Sequence, residues 1–423
     1  MTRNLGCFAA VSFAGLIGCG QQEPAVAPLA PPPAATVAAP PPVIEAKKEE
    51  PKPALLTAEQ KIKAYQDGWA ASNAKDFAKL QARWAENARS ETLDMGPPAV
   101  GPSAITEQGA RAFATAFPDG AAETELTLLN NNQLFGVVLL RGTQTGPLQS
   151  PTGAVPPTGK KIGLLAAHLL ELNDAGKAVK ESMAYDGGTL AGQLGLLPAP
   201  HRKALEAGWA DKPVVVATGG EIEKANLAAF NAGVVGFNKH DAAAALGAAA
   251  DDIVFAEMTA PADRVGKKEA VKGIEEMFKA FPDVKLEIAS AWPAGDYVVA
   301  TGTWSGTNTG DMPGMKLKKT GKSVSVHFIE VDKFVAGKTK NIWLFSNGAA
   351  AAAQLGLLPP KTPELKGKEP AARKPAAEPK PAATAKHSAE PKPAAIAKPA
   401  AEPKPTPSKP AVTAPAAKPT PAK

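Results

Sequence analysis

The sequence predicts an α+β protein that uses one folded unit twice in tandem. Two observations carry this. Four short blocks recur in the same order about 160 residues apart, and within each copy helical spacing comes first and strand alternation after it. Order within the copy matters, because helices followed by a run of strands give an antiparallel sheet with the helices on one side.

The repeat is the stronger of the two observations. Ala116-Phe117-Pro118-Asp119 returns as Ala280-Phe281-Pro282-Asp283, and Gly142-Thr143-Gln144-Thr145-Gly146 as Gly306-Thr307-Asn308-Thr309-Gly310. Thr158-Gly159-Lys160 returns as Thr320-Gly321-Lys322, and Gln193-Leu194-Gly195-Leu196-Leu197-Pro198 as Gln354-Leu355-Gly356-Leu357-Leu358-Pro359. The offsets are 164, 164, 162 and 161, a period far too long for a solenoid and right for a duplicated domain.

The elements of copy one follow in order. Thr57 and Gln60 form a capping box, and Ile62, Tyr65 and Trp69 then fall at helical spacing. Phe77, Leu80 and Trp84 predict a second short helix, and a third runs from Pro102 to Phe117, where Pro118 stops it. Leu126 and Leu128 alternate with polar neighbours, and further strands are predicted over 134–143, 161–172 and 179–185. In copy two, Leu227, Phe230 and Val234 mark the first helix, and Ile274, Met277, Phe278 and Phe281 the helix before Pro282. Strands are predicted around Leu286 and Ile288 and over 298–304, 324–331 and 339–345.

The copies sit between segments of another kind. The chain has 423 residues and 42 prolines, clustered in about 24–54 and 361–423 among Ala, Lys and Glu. Such composition buries too little apolar surface to offset chain entropy. The net charge of +6 belongs to the tail: residues 361–423 hold 13 Lys and Arg against 5 Glu, leaving −2 for the rest. A nucleic-acid surface needs basic charge clustered on a folded face, and none is predicted. The basic tail fits a solvated spacer, or a segment lying against anionic envelope polymers.

The first residues read as an export signal. Arg3 is followed by an apolar run, Leu5 to Ile17, too short to span a bilayer, and then by Leu16-Ile17-Gly18-Cys19. That ending resembles the lipobox of bacterial lipoproteins, which implies cleavage before Cys19 and acylation of its sulfur. The expected plan is a signal at 1–19, a Pro/Ala-rich tether at 20–54, domains at 55–200 and 220–360 joined by a linker at 201–219, and a tail at 361–423. Cys7 leaves with the signal, so no disulfide is available. At about 3.1 Å per residue an extended tether of ~34 residues reaches ~100 Å from the membrane. Gly20 after Cys19 resembles lipoproteins sorted to the outer membrane of the cell envelope.

The repeat itself resembles a known family. Gly302-Thr303-Trp304-Ser305-Gly306-Thr307-Asn308-Thr309-Gly310, Gly314, Thr320-Gly321-Lys322, Gly337-Lys338 and Gln354-Leu355-Gly356 are similar to the SnoaL-like polyketide cyclases, also called ester-cyclase-like, of the nuclear transport factor 2-like superfamily. The resemblance covers nearly all of both copies. It implies two cone-shaped domains, each a curved antiparallel sheet around helices with an apolar pocket. It further implies cyclase chemistry without metal or organic cofactor: a carboxylate on the last strand takes a proton from a polyketide ester, assisted by a His on the preceding strand.

The residues depart from that pattern. In copy two the last strand carries Asn341, Trp343, Leu344 and Asn347, none of which takes a proton at neutral pH. In copy one it carries Glu181, Met183 and Asp186, and Asp186 matches the family's later acid. Asp186 and His168 are therefore the candidate catalytic pair. Tyr65, Trp69, Trp292, Trp304, His327, Trp343 and Asn347 are candidate ligand-binding residues, as cone lining. Gln144 and Asn308 stand where the family often has His. No zinc-type spacing, Gly-x-Ser-x-Gly or complete phosphate loop occurs.

Three readings of function follow. The first is an envelope lipoprotein whose two cones each bind a small apolar or lipid-like molecule, with weak chemistry or none. The second is a cyclase- or isomerase-type enzyme with Asp186 as general base. The third is a scaffold pairing through the sheet face, either as a homodimer or between its own copies.

Overall fold

The computed structural model describes residues 55–150, 153–198 and 200–357. The signal, Cys19, the tether and the tail lie outside them. Both copies fall in one compact unit. Among the described residues no helix is long and apolar enough to cross a membrane.

Copy one opens with α1 (Ala58–Asn73), whose capping box is present: Thr57 Oγ1 accepts from Gln60 N, and Gln60 Oε1 from Thr57 N at 2.9 Å. Asp76 caps α2 (Phe77–Ala82). Trp84, expected to close that helix, instead opens a strand, β1 (Trp84–Thr92). That strand is illegible as a pattern because only Trp84 and Ala88 are buried, four residues apart across a register shift. β2 (Ala99–Val100) leads through Gly101, at φ 84°, into α3 (Pro102–Thr106), a π turn (Glu107–Arg111) and α4 (Ala112–Ala116). Then come β3 (Ala121–Asn130), β4 (Gln133–Thr143), the small hairpin β5 (Leu148–Ser150) and β6 (Gly153–Val155), β7 (Lys161–Leu172), β8 (Ala178–Ala184) and α5 (Gly187–Gln193). Within the expected linker, β9 (Val214–Val216) adds an edge strand beside β3, giving the order β2-β1-β8-β7-β4-β3-β9.

Copy two repeats the plan with α6 (Glu221–Asn238), α7 (Ala242–Ala245), β10 (Ala249–Glu257), β11 (Arg264–Val265), α8 (Lys267–Ala280), β12 (Lys285–Ala294), β13 (Tyr297–Thr307), β14 (Ser323–Val335), β15 (Lys338–Ser346) and α9 (Gly348–Gln354). Its sheet order is β11-β10-β15-β14-β13-β12. The fold is α+β, and both sheets are mixed where an antiparallel one was expected. β1 runs parallel to β8 and β10 parallel to β15, because the strand after the first helices must reach the far side of the sheet before the meander begins.

The repeated blocks are the frame of each copy. Asp119 accepts from Thr143 N and Oγ1 at 2.6 and 2.7 Å, and Asp283 does the same for Thr307. The fully buried Gln144 and Asn308 each accept from the backbone of the repeated Thr, Thr158 and Thr320. Gln193 clamps both backbone groups of Gly163, and Gln354 those of Ser325. These amides hold turns, which is why a neutral side chain suffices where the family often has His.

The outer faces of the two sheets meet. Leu126, Leu128, Phe135 and Val137 of copy one share a core with Trp292, Val299, Ile329 and Phe345 of copy two, and Trp209 packs on Trp343 with ring centroids 4.9 Å apart. The open sheet face of each copy is thus covered by the other.

Candidate functional site

Each copy encloses its own cavity between the inner sheet face and the helices. Cavity one has a volume of about 280 Å³ and cavity two about 330 Å³.

In cavity one the polar groups gather on one wall. His168, on β7, is 1 % exposed; its Nδ1 pairs with Tyr65 Oη at 3.1 Å and its Nε2 with Glu181 Oε1 at 2.5 Å. Ser90 donates to Glu181 Oε2 from β1. Arg83 lines the same cavity, and the ring of Trp69 stands edge-on to His168 at 5.0 Å. Burial pushes the Tyr65 hydroxyl well up and keeps it protonated. Burial also pushes the Glu181 carboxyl up, but His168, Ser90 and Arg83 together more than offset it, so Glu181 stays a carboxylate. Burial lowers the Arg83 guanidinium, which the charge of Glu181 opposes. The remaining walls are largely apolar, with Ile105, Phe113, Phe117, Leu140 and Leu164, and also carry polar residues such as Ser72, Thr106, Gln108 and Tyr185.

Asp186 lines neither cavity. It caps α5, accepting from Gly188 N at 3.2 Å and Thr189 N at 2.6 Å, and from Gly348 N of copy two at 2.9 Å. Burial raises its carboxyl, opposed by those donors and the Thr189 hydroxyl. The acid that reaches the cavity with His168 is Glu181, two residues before Met183 on the same face of β8.

Cavity two is lined by Phe230, Phe255, Met277, Trp304, Phe328 and Ile342, with Glu257, Arg264, Glu330 and Asp332 as its ionisable residues. Arg264 Nη1 pairs with Glu257 Oε2 at 2.9 Å. Glu330 and Asp332 project from β14. Burial raises both carboxyls, and the charge of Glu330 raises Asp332 further.

The other expected ligand contacts divide. Trp69 and Trp304 line the cavities, whereas Tyr65 lines neither and is buried in the core behind His168. Trp292 and Trp343 lie in the core between the copies. On β15 the cavity receives Ile342, Leu344 and Ser346, so Trp343, one residue out of phase, faces outward. His327 lies outside the cone: its side chain is 60 % exposed and pairs through Nδ1 with Asp94 of copy one at 2.8 Å. Asn347 caps α9 and donates to Asp94 O.

Arg83, Ser90, Glu330 and Asp332 escaped sequence reasoning. Arg83 closes α2 immediately before the illegible β1, and Ser90 sits on that strand. For the acids a signal exists: two carboxyls at alternate positions follow Val324, Val326 and Phe328 on one strand face, while Ile329 and Val331 fill the other. Acids on an apolar face of a doubly buried strand are out of place unless used.

The family model for SnoaL-like polyketide cyclases matches residues 59–194 and 227–355. No curated protein matches the chain. Among solved structures the chain is similar to AclR of Streptomyces galilaeus, provisionally described as a hydroxylase, at 29 % identity over 33 % of this chain and 89 % of that one, with a TM-score of 0.29. It is also similar to a protein of Jannaschia sp. CCS1, provisionally described as a SnoaL-like polyketide cyclase (16 % identity, 33 % and 97 % covered, TM-score 0.31). A third is TsrD of Streptomyces laurentii (20 % identity, 32 % and 97 % covered, TM-score 0.29).

Proposed function

We propose, for a chain that belongs to the family of SnoaL-like polyketide cyclases, that each copy holds one small, largely apolar molecule in its cone. In this reading a lipid on Cys19 keeps both copies at the outer membrane of a bacterial envelope. The observation that carries it is the pair of separate cavities, about 280 and 330 Å³, each with mainly apolar and aromatic walls and a few polar groups. Ligand sites have that make-up, apolar contact supplying affinity and the polar groups fixing orientation.

The test is a fluorescence titration with the neutral hydrophobic probe N-phenyl-1-naphthylamine. Two equivalents per chain are expected. Ser72→Phe, on the wall of cavity one, should remove one, and Val234→Phe, on the wall of cavity two, the other. A chain that binds none of the probe sinks the reading.

A second reading is chemical, favoured by the hydrogen-bonded series Tyr65–His168–Glu181–Ser90 at the wall of cavity one. Glu181, a carboxylate facing the cavity, would take a proton from a carbon next to a carbonyl, with His168 fixed beside it by Tyr65. The expected activity is exchange of the benzylic protons of phenylacetone for deuterium, abolished by Glu181→Gln in a protein that still folds. Exchange that survives Glu181→Gln removes this reading and leaves the binding one intact.

A further inference from the structure

Cavity two differs from cavity one in the charge left on its wall. Arg264 is committed to Glu257, whose other oxygen takes the Thr259 hydroxyl at 2.9 Å. The pair on β14 has no cation of this kind: Glu330 and Asp332 share a side-chain hydrogen bond with each other. Glu330 and Asp332 stand on the face that also carries Val326 and Phe328, so both carboxyls enter the cone. Asp332 is 5 % exposed, and its Oδ1 has no hydrogen-bond partner among the described residues. α6, α8, β13 and β15 present no titratable side chain to this cavity. Lys333, next along the strand, does not line it; its ammonium lies 5.8 Å from the ring of Tyr297.

Copy one shows what is missing. There the acid Glu181 has Arg83 and His168 beside it. The residue at the place of Arg83 in copy two is Ala248, and Glu330 itself occupies the place of His168: Gly136 faces His168 across the sheet, and its repeat Ala300 faces Glu330. Copy two lacks those resident donors and carries two acids instead. A buried carboxyl with an unmet oxygen costs free energy until something donates to it.

An alkylammonium fits the vacancy in hydrogen bonding. It brings three N–H donors and one positive charge to two carboxyls. Phe230, Phe255, Trp304 and Phe328 suit an apolar body, and ring faces attract a cation.

We propose that cavity two is a site for a small hydrophobic amine, bound as its ammonium ion, with the nitrogen on Glu330 and Asp332 and the apolar body against the aromatic wall. This rests on the reading that the cones hold small apolar molecules. On entry the ammonium favours the ionised form of the acid pair, so protons leave the carboxyls for solvent.

Calorimetric titration of the full chain with 2-phenylethylamine and 2-phenylethanol at pH 7, in phosphate and in Tris, tests it. The amine should bind at least tenfold tighter than the alcohol, with an observed enthalpy that differs between the buffers because protons are released. Both features should vanish in Glu330→Gln/Asp332→Asn, which, if folded, should still take the one equivalent of N-phenyl-1-naphthylamine that belongs to cavity one. If the double variant fails to fold, Asp332→Asn alone should lose at least half of the preference in log units. An alcohol that binds as tightly as the amine, a preference that survives the substitutions, or naphthylamine binding without binding of either phenylethyl probe overturns the amine site and spares the binding reading. Failure of all three probes overturns both.

Discussion

His168 and Glu330 occupy one position of the repeat and carry opposite chemistry. His168 lies across the sheet from Gly136, and Glu330 from Ala300, the same residue pair 164 positions on in β4 and β13. The surrounding exchanges are consistent with it: Tyr65 faces Phe230 in the comparison, Glu181 faces Ile342 and Arg83 faces Ala248. Copy one closes its charges internally, with a carboxylate between a guanidinium and an imidazole. Copy two leaves its acids to whatever enters. The turn-holding side chains are the same in the two copies apart from Gln144 against Asn308, while the cavity walls differ.

Glu181 and Arg83 are half-buried opposite charges that act on each other at cavity one, and removing one side alone should be costly. Glu181→Leu is expected to destabilise copy one by about 1–3 kcal/mol, because His168 and Ser90 lose their hydrogen-bond acceptor and the guanidinium loses a nearby counter-charge. Adding Arg83→Leu should recover part of that loss. Urea denaturation of the two single variants and the double one closes the cycle. Equal, additive losses would show that the two charges do not see each other.

The acids of copy two give a pH signature of defined sign. Their carboxyls are raised in the folded chain by burial and, for Asp332, by the charge of Glu330. Between the ordinary carboxyl range, near pH 4, and the raised values, the folded chain holds more protons than the unfolded one. Stability is therefore full below about pH 4 and falls as pH rises. Asp332→Asn cannot ionise, so its melting temperature should exceed that of the parent increasingly from pH 5 to pH 8 and match it near pH 4. Thermal melts without added ligand decide this, and a constant difference across the range refutes it.

The frame was legible in the sequence because it is made of turn-fixing residues whose spacing the duplication preserved. Asp119 with Thr143, and Asp283 with Thr307, could be found by self-comparison alone. The long strands showed through their apolar runs, β7 over the whole of Lys161–Leu172, which is buried almost throughout. β1 did not, because its two buried residues are separated by a register shift. The cavity walls were harder for a related reason. Facing is set by register, and a shift of one residue exchanges the wall for the interface. Trp343 fell on the interface and Ile342 on the wall. Asp186 matches the family's later acid in spacing, but Gly187 and Gly188 after it turn the chain into α5 and use its carboxylate as a cap.

The shared core makes each copy dependent on the other. Phe345 is fully buried there, against both sheets, and Phe345→Ala should cost about 3–5 kcal/mol. A fragment ending at residue 213 would expose Leu126, Leu128, Phe135 and Val137 together and should self-associate. Light scattering of the fragment against the full chain measures this. A fragment that stays monomeric at high concentration would mean the face is not adhesive by itself.

The anchor is open to a direct test. Cys19 lies outside the described residues, but the proposed acylation needs its sulfur. Cys19→Ser should move the protein from the membrane pellet to the soluble envelope fraction and abolish incorporation of labelled palmitate. The two cavities, more than forty residues further along the chain, should keep their ligand stoichiometry in the released protein. Label incorporated into Cys19→Ser would place the lipid elsewhere.

Gly136 supplies the space in which Tyr65 meets His168. A Cβ at that position would lie 2.1 Å from the Tyr65 hydroxyl oxygen, far inside contact distance. Copy two shows the complementary solution: Ala300 carries the methyl and Phe230 lacks the hydroxyl. Gly136→Ala should therefore push Tyr65 off His168 at a cost of about 1–3 kcal/mol. Tyr65→Phe should leave His168 Nδ1 without its partner at a cost of about 1–3 kcal/mol. The double variant recreates the copy-two arrangement and should be more stable than the sum of the single losses implies. The imidazole proton resonances of His168 should shift in both single variants, reporting the broken contact directly. If Gly136→Ala is neutral and those resonances stay in place, the tyrosine has room that the geometry denies it, and the fixed orientation of His168 against Glu181 loses its support.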